Sequence, residues 1–275
     1  MNKRLAQIIC AVLCVCLVVA GVWLFSPKPN SEPVVTAIID TGISSPKPNS
    51  EPVVIAIIDT GISSKAIPAD HILEGKNYYD PALSTEDTYG HGTAVASVIL
   101  KHFPQAQLVP LVSNVYDSGR IKQVTGDVFA QMIRDAIDVY HCDIINVSAG
   151  LILDKTPIRE AVAYAEEKGI LVVASAGNDY ATNGEFAYFP ASYDTVFAVG
   201  SVTKDGTSVS DFSQRGKWVD IYTCGEDVEI AALSGNTKQS EGTSYSAARI
   251  TAEAAKLLQK NHSVLIQVQL SKKYL

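Results

Sequence analysis

Three polar residues, widely separated in the chain, are of the types that together activate a hydroxyl group for nucleophilic attack. Ser244 ends a Gly-Thr-Ser turn before an apolar, helix-forming segment, so we expect it near a helix N-terminus, where unpaired N–H groups favour negative charge. His91 lies between two glycines, and Asp59 ends an apolar run. A serine nucleophile needs a base to take its proton, and the base needs a carboxylate to orient it. The three residues therefore predict a nucleophile, Ser244, served by His91 and Asp59.

Four segments resemble those of the subtilisin-like serine proteases, the subtilases, and follow the order of that family. They are the Asp-Thr-Gly turn that begins at Asp59, the His-Gly-Thr turn at His91, the segment 172–178, and the Gly-Thr-Ser turn that ends at Ser244. One such turn occurs readily by chance, but four in order with compatible spacing do not. The resemblance covers residues 53–260. It implies a serine endopeptidase that hydrolyses peptide bonds of polypeptides.

The resemblance also implies roles for residues outside the Asp-His-Ser triad. The side-chain amide of Asn178 would donate to the oxyanion, together with the backbone N–H of Ser244. Ser148-Ala149-Gly150 would pair with an extended substrate as an added strand. The family often has a calcium-binding loop after the helix that begins beside His91. Only residues 101–106 connect that helix to the next strand, so we expect no such site, no other metal and no cofactor.

Two departures from the family pattern leave a second function open. Tyr245 follows Ser244 where the family usually has Met, and no stretch before Val53 has the length of the usual inhibitory prodomain. The alternative is a catalytically inactive subtilase-like module that binds peptides or protein partners at the cell surface. A lipase or esterase is not predicted, because the chain has no Gly-x-Ser-x-Gly turn.

The Asp-Thr-Gly turn occurs twice, because residues 27–45 and 46–64 form a tandem repeat with a single difference. Aspartic proteases also use two such turns, but each turn belongs to its own lobe or subunit, and one repeat is too short to build a lobe. At the position that differs, the second copy has Ile55 and the first copy has threonine. A central parallel strand is buried on both faces, where isoleucine is favourable and a hydroxyl needs a partner. We therefore expect Asp59 to supply the carboxylate that orients His91, and the copy with Asp40 to be part of a tether.

The N-terminus predicts export from the cytoplasm. Two basic residues precede residues 5–25, which carry no charge and are numerous enough to span a bilayer. We expect residues 1–26 to be an uncleaved, single-pass membrane anchor that leaves the rest of the chain extracytoplasmic. The alternative is a cleaved signal peptide and a secreted protein. Residues 27–52 are predicted to be a tether, and residues 53–275 to be the peptidase domain.

The composition fits one acidic domain. The chain has 275 residues, 47% of them hydrophobic, which is enough for a single α/β domain with a sizeable core. A net charge of −7 and the lack of a basic cluster argue against a nucleic-acid partner, and we expect a monomer. Cys142 and Cys224 have no zinc-ligand spacing, so no zinc site is predicted. We expect these two cysteines to be separate thiols, with a disulfide between them as the alternative.

Alternating apolar strands and amphipathic helices predict the fold class. Strands are predicted at residues 53–58, 107–112, 143–147, 170–175 and 195–202, and helices at residues 93–102, 126–140, 157–168 and 247–258. This alternation predicts an α/β fold of three layers: a doubly wound, mostly parallel sheet with helices on both faces and functional residues at the carboxyl ends of strands. Shorter strands, expected to be antiparallel, are predicted at residues 209–212, 219–223 and 229–232.

Overall fold

The computed structural model describes residues 52–117 and 119–260, and a seven-stranded sheet forms the centre of this region. The strands are β1 (Val54–Asp59), β2 (Lys76–Asn77), β3 (Gln107–Val112), β4 (Asn114–Asp117), β5 (Arg120–Gln123), β6 (Ile144–Val147), β7 (Leu171–Ser175), β8 (Phe197–Val202), β9 (Ile221–Cys224), β10 (Val228–Ala231) and β11 (Thr237–Ser240). The helices are α1 (His91–His102), α2 (Gly126–Asp138), α3 (Thr156–Glu167), α4 (Tyr180–Asn183) and α5 (Thr243–Lys260).

The central sheet has the strand order β2-β3-β1-β6-β7-β8-β9, and all of its neighbouring strands are parallel. The predicted parallel, doubly wound architecture is therefore confirmed. After β1 the chain first builds β2 and β3 on one side, and then crosses to β6 on the other side. Ligands of such sheets bind where the strand order reverses, outside the carboxyl ends of the strands. Here that point is the end of β1, the position of Asp59.

Helices cover both faces of the sheet, so the fold has three layers. Side chains of a strand alternate between the two faces. Ile55 and Ile57 of β1 accordingly belong to the core formed with α1 and α5. Ala56 and Ile58 belong to the core formed with α2 and α3. All four residues are buried, which explains why β1 is apolar throughout instead of alternating with polar residues.

The antiparallel direction predicted for residues 219–223 is wrong. The strand in this region, β9, runs parallel to β8. The chain turns back directly after β8, where Thr203 and Ser208 are joined by a backbone hydrogen bond, and Val209 then forms a single antiparallel bridge with Val202. This reversal lets the chain enter β9 in the same direction as β8. The predicted strand at 209–212 is reduced to that one bridge.

Two antiparallel hairpins lie outside the central sheet. One pairs β10 with β11, in agreement with the antiparallel strand predicted at residues 229–232. The other pairs β4 with β5, places Tyr116 opposite Ile121, and was not predicted. Both of these side chains are at least half exposed. A short, exposed hairpin buries little apolar surface, so its sequence lacks the alternation that identifies a half-buried strand.

Several predictions concern the N-terminal part of the chain. The predicted anchor or signal at residues 1–26, nearly all of the predicted tether, and Asp40 lie outside the described residues. Between residues 52 and 260, position 118 apart, no helix has the length and apolar character required to cross a membrane.

Cys142 and Cys224 are both thiols, so the alternative of a disulfide between them is wrong.

Candidate active site

Asp59 and His91 meet at the carboxyl end of β1. Asp59 is the last residue of β1 and is fully buried, whereas His91 is the first residue of α1. Nδ1 of His91 lies 2.8 Å from Oδ1 and 2.9 Å from Oδ2 of Asp59. A carboxylate accepts hydrogen bonds, so this contact assigns the proton to Nδ1 and leaves Nε2 as the acceptor in the neutral ring. The backbone N–H of Thr60 also donates to Oδ1 at 2.7 Å and fixes the carboxylate.

The pKa of His91 is raised above its ordinary value of 6.5. Burial is the largest single effect and lowers this pKa, because a buried ring is harder to charge. The negative charge and the hydrogen bond of Asp59, with a further contribution from the charge of Asp87, more than offset it. The His91 side chain remains 29% exposed, so the ring can exchange protons with a bound substrate.

The glycine after His91 allows the two turns to approach each other. A Cβ on Gly92 would collide with the backbone oxygen of Gly61 and would lie 3.2 Å from Cβ of Asp59. The N–H of Gly92 donates to the hydroxyl of Thr60 at 2.9 Å. Gly92 is therefore required for the close approach of the two turns, and not only for turn formation.

Asp87 organises the turn that presents His91. This residue was not predicted from the sequence. Its Oδ1 accepts hydrogen bonds from the hydroxyl of Thr60 and from the N–H groups of Tyr89 and Gly90, at 3.0, 2.9 and 2.8 Å. Its Oδ2 accepts from the N–H and the hydroxyl of Thr93. The carboxylate is 3% exposed, so it links the Asp59 turn to the start of α1 from inside the protein. Its position before a Gly-His-Gly turn was the available sequence signal.

Ser244 is the second residue of α5 and is 4% exposed. No hydrogen bond joins its hydroxyl to His91 within the part of the chain that the structure describes. The ring of the next residue, Tyr245, lies 6.2 Å from the His91 ring, so the start of α5 is next to the imidazole. Hydrogen bonds between a nucleophile and its base are often long until substrate is bound.

Asn178 is tied to the residue that precedes Ser244. It lies in the turn after β7, and its Oδ1 accepts both the N–H and the hydroxyl of Thr243 at 2.8 Å. The Thr243 hydroxyl in turn accepts the N–H of Gly177 at 3.2 Å. Because Oδ1 is the acceptor in these bonds, Nδ2 is the donor end of the amide, and no described residue accepts a hydrogen bond from it.

A second carboxylate, Asp179, supports the turn that carries Asn178. It accepts hydrogen bonds from Tyr188 Oη at 2.5 Å, Asn183 Nδ2 at 2.6 Å and Gln214 Nε2 at 2.8 Å. Burial raises the pKa of Asp179, but these hydrogen bonds lower it by more than burial raises it. The pKa of Asp179 is therefore below its ordinary value. The carboxylate therefore stays charged and holds the turn at neutral pH. Asp179 was not predicted from the sequence, because its bond to Gln214 depends on the fold.

Ser148, Ala149 and Gly150 follow β6 directly, as predicted. Ser148 is partly accessible, Ala149 is buried and Gly150 is exposed. Nδ2 of Asn146 donates to the hydroxyl of Ser148 at 3.2 Å. The backbone beyond Gly150 pairs with another segment, through an antiparallel bridge between Leu151 and Phe189.

A cavity of about 530 Å³ lies beside His91. Tyr89 and Tyr245 line it together with residues of the β10–β11 hairpin, including Leu233 and Lys238. The cavity gives a bulky molecule access to the imidazole. No group of three or more His, Cys, Asp or Glu side chains suited to a metal ion occurs among residues 52–117 and 119–260. The side chains brought together at this site offer a hydroxyl, an imidazole, a carboxylate and a side-chain amide.

Comparison with known proteins gives consistent matches. Residues 31–274 match the model of the subtilase family. The thermophilic serine proteinase of Bacillus sp. (strain AK1) is 33% identical over 197 residues, which are 68% of this chain and 47% of that protein. Subtilisin Savinase of Lederbergia lenta is 33% identical over 240 residues, which are 84% of this chain and 78% of that protein.

The solved structures agree with the sequence relatives. The crystal structure of a cold adapted subtilisin-like serine proteinase superposes with a TM-score of 0.67 at 26% identity, over 78% of this chain and 79% of that one. Some relatives are much longer, since this chain spans about half of the thermophilic proteinase.

Proposed function

Because the chain belongs to the subtilase family, we propose that it is a serine endopeptidase that hydrolyses peptide bonds of polypeptides. One observation carries this proposal: a buried carboxylate, Asp59, contacts Nδ1 of His91, while the oxyanion candidate Asn178 is bonded to the residue beside Ser244. A nucleophile, a base with a fixed tautomer and an oriented amide donor are the groups that acyl transfer requires.

In the first half of the reaction, the hydroxyl oxygen of Ser244 attacks the carbonyl carbon of the scissile bond. Nε2 of His91 takes the hydroxyl proton, and Asp59 stabilises the imidazolium that results. The imidazolium then gives this proton to the amide nitrogen, the C–N bond breaks, and the amine product leaves. An acyl ester on Ser244 remains. In the second half, His91 takes a proton from water and the hydroxide attacks the ester carbonyl carbon. The C–O bond to Ser244 then breaks, its oxygen takes the proton back from His91, and the carboxylic acid product leaves.

The tetrahedral intermediates place a negative charge on the former carbonyl oxygen. Nδ2 of Asn178 and the backbone N–H of Ser244 are the proposed donors to this oxygen. Ser244 is in the first turn of α5, where backbone N–H groups have no partner inside the helix and the helix dipole favours an anion. Thr243 holds the amide of Asn178, so little reorganisation is needed when the charge develops.

The proposed substrate is an extended polypeptide. Its backbone would pair with Ser148-Ala149-Gly150 as an added strand, because these residues continue β6 and the first and last of them are accessible. This pairing would bring the scissile carbonyl between Ser244 and Asn178. The cavity beside His91 would receive the part of the substrate beyond the scissile bond, where the imidazole delivers its proton to the leaving group.

We also propose that residues 1–26 anchor the protein in a membrane, with the peptidase domain extracytoplasmic. The observation behind this proposal is the uncharged run at residues 5–25 after two basic residues. Membrane fractionation of the full chain tests it: retention in the membrane pellet after carbonate washing supports an anchor. A shortened protein in the medium would instead indicate a cleaved signal and a secreted enzyme.

The activity is tested with the full-length chain, purified in mild detergent, and a fluorophosphonate probe that labels activated serines. We expect labelling of the protein and loss of labelling in Ser244→Ala. Ser246→Ala is the matched control, because it removes a buried hydroxyl of the same helix whose bond goes to the backbone oxygen of Thr223. No labelling of the folded wild-type chain would contradict the proposal and favour an inactive peptide-binding module.

A further inference from the structure

Tyr188 lies between the two segments that the proposed mechanism places around the substrate. A Cβ on Gly150 would lie 3.2 Å from Cδ1 of Tyr188. A Cβ on Gly177 would lie 2.7 Å from Cδ2 and 3.0 Å from Cε2 of the same ring. The tyrosine ring therefore contacts the Ser148–Gly150 segment through one edge and the Gly177–Asn178 turn through the other. The space that two glycines leave open is filled by an aromatic ring.

The ring is held in this position at both ends. Its hydroxyl donates to Oδ2 of Asp179 at 2.5 Å, and its ring packs edge-on against Phe186 with centroids 5.2 Å apart. Burial, followed by the bond to Asp179 and its charge, raises the pKa of Tyr188 to about 12, so the hydroxyl remains a donor at neutral pH. On the backbone side, the bridge between Leu151 and Phe189 fixes the adjoining residue. Movement of the ring out of the gap would break these contacts.

The proposed substrate pose directs one side chain toward this gap. The residue on the acyl side of the scissile bond has its backbone along Ser148–Gly150 and its carbonyl oxygen at Asn178. Its Cβ must therefore lie between the Gly150 and Gly177 segments, which is the interval that Tyr188 occupies. A hydrogen atom or a methyl group requires little room there. A leucine or phenylalanine side chain would overlap the ring.

We propose that Tyr188 restricts the residue on the acyl side of the cleaved bond to a small side chain, such as glycine, alanine or serine. This inference rests on the proposed peptidase function and adds the class of peptide bond that is cleaved. Tyr188 is thus a specificity-determining residue, which acts by steric exclusion. Tyr188 was not predicted from the sequence, because its effect depends on two glycines that only the fold brings to its ring.

The test compares the full-length chain with Tyr188→Ala and Tyr188→Phe. The substrates are internally quenched peptides that are identical except for alanine, leucine or phenylalanine before a single cleavable bond, with the cleaved bond identified by mass spectrometry. For the wild-type protein we expect kcat/KM for alanine to exceed that for phenylalanine by about 100-fold or more, because a single poorly fitting methylene can already cost 10-fold. Tyr188→Ala should reduce this ratio at least about 10-fold. Tyr188→Phe loses the bond to Asp179 but retains the ring and its packing against Phe186, so it should keep the wild-type ratio.

Two kinds of result overturn the inference, and they are distinguishable. If the wild-type protein labels at Ser244 but cleaves after phenylalanine as well as after alanine, the specificity claim fails and the peptidase function stands. The same holds if Tyr188→Ala still labels with the probe but leaves the ratio unchanged. If the folded wild-type chain neither labels nor cleaves, the proposed function fails and this inference fails with it. Labelling by the probe also shows whether Tyr188→Ala has kept a folded active site.

Discussion

The backbone N–H and the hydroxyl of Thr243 both donate to Oδ1 of Asn178, each at 2.8 Å. The residue that precedes the proposed nucleophile thus determines which way the amide of the proposed oxyanion donor faces. Oδ1 is occupied as an acceptor, so Nδ2 is the end available to an oxyanion. The relative position of Ser244 and Asn178 is therefore fixed by a direct contact between α5 and the turn after β7, and not only by the packing of the sheet.

The first prediction concerns this contact. Thr243→Val keeps the shape of the side chain but removes one of the two hydrogen bonds that orient Asn178, and it leaves the N–H of Gly177 without this acceptor. A net hydrogen bond is worth about 1 kcal/mol, so we expect kcat to fall about 5-fold while KM changes little, because the lost stabilisation acts on the oxyanion. Steady-state kinetics on a peptide substrate measure the effect. An unchanged kcat would show that the backbone N–H alone orients the amide.

Thr251→Val is the matched control for this experiment. Thr251 lies about two turns farther along α5, and its buried hydroxyl donates to Oδ1 of Asn146 at 2.9 Å. The substitution breaks the same kind of bond at a similar depth, away from the oxyanion site. We expect Thr251→Val to lower the free energy of unfolding by about 1 kcal/mol and to leave kcat close to that of the wild type. An equal fall in kcat in both variants would attribute the Thr243 effect to stability alone.

The second prediction concerns the tandem repeat. Asp59 of the second copy contacts Nδ1 of His91, so Asp59→Asn should remove the charge and favour the wrong histidine tautomer. We expect kcat to fall about 10⁴-fold, the loss that the equivalent change causes in a Ser-His-Asp triad. Asp40→Asn makes the same change in the first copy and should leave kcat unaltered. Full activity in Asp59→Asn, or a large loss in Asp40→Asn, would show that the first copy supplies the carboxylate.

The third prediction concerns pH. His91 must be neutral to act as a base, so kcat/KM should rise with pH through the pKa of His91, above 6.5. The negative charge of Asp87 contributes to the raised pKa. Asp87→Asn should therefore shift this rise to lower pH, because it removes a negative charge that favours the imidazolium. The raised pKa also means that protonated His91 stabilises the fold below pH 6.5, a contribution lost as the pH rises through the folded-state value.

Glu86→Gln provides the control for the pH measurement. It removes the same charge one residue earlier, but Glu86 is exposed and its carboxylate contacts Ser63 and Ser64 instead of the histidine turn. We expect the pH profile of this variant to match that of the wild type. Asp87→Asn should also lower the free energy of unfolding by about 1–3 kcal/mol, because an amide nitrogen cannot accept the hydrogen bonds that the lost oxygen accepted. Identical profiles for the two variants would show that Asp87 has only a structural role.

The parallel sheet could be predicted from the sequence because its signals are local. A strand buried on both faces has to be apolar throughout, and β1 has this property from Val54 to Ile58. The Asp59 and His91 turns could also be identified, since each places a reactive residue beside glycines at the end of an apolar segment. Helix starts were less accurate: α1 begins at His91, whereas Thr93 was predicted. Helix ends are set by capping contacts that a periodic pattern does not reveal.

The remaining features depend on contacts between distant segments. The direction of β9 depends on the reversal after Val202, which no pattern within β9 indicates. Asp87, Asp179 and Tyr188 each act through partners that come from other parts of the fold, such as Thr60 for Asp87. A buried carboxylate in a turn has the same local sequence as an exposed one. Only the tertiary structure distinguishes them.

The last prediction tests why the second repeat copy occupies the sheet. Ile55 is fully buried in β1, and Ile55→Thr introduces the residue that the first copy carries at this position. Ile55→Val is the matched control, because valine and threonine have nearly the same shape and only threonine has a hydroxyl. We expect valine to lower the free energy of urea unfolding by about 0.5–1.5 kcal/mol and threonine by about 1–3 kcal/mol more. Equal stabilities for the two variants would mean that the hydroxyl finds a partner, and that burial does not discriminate between the copies.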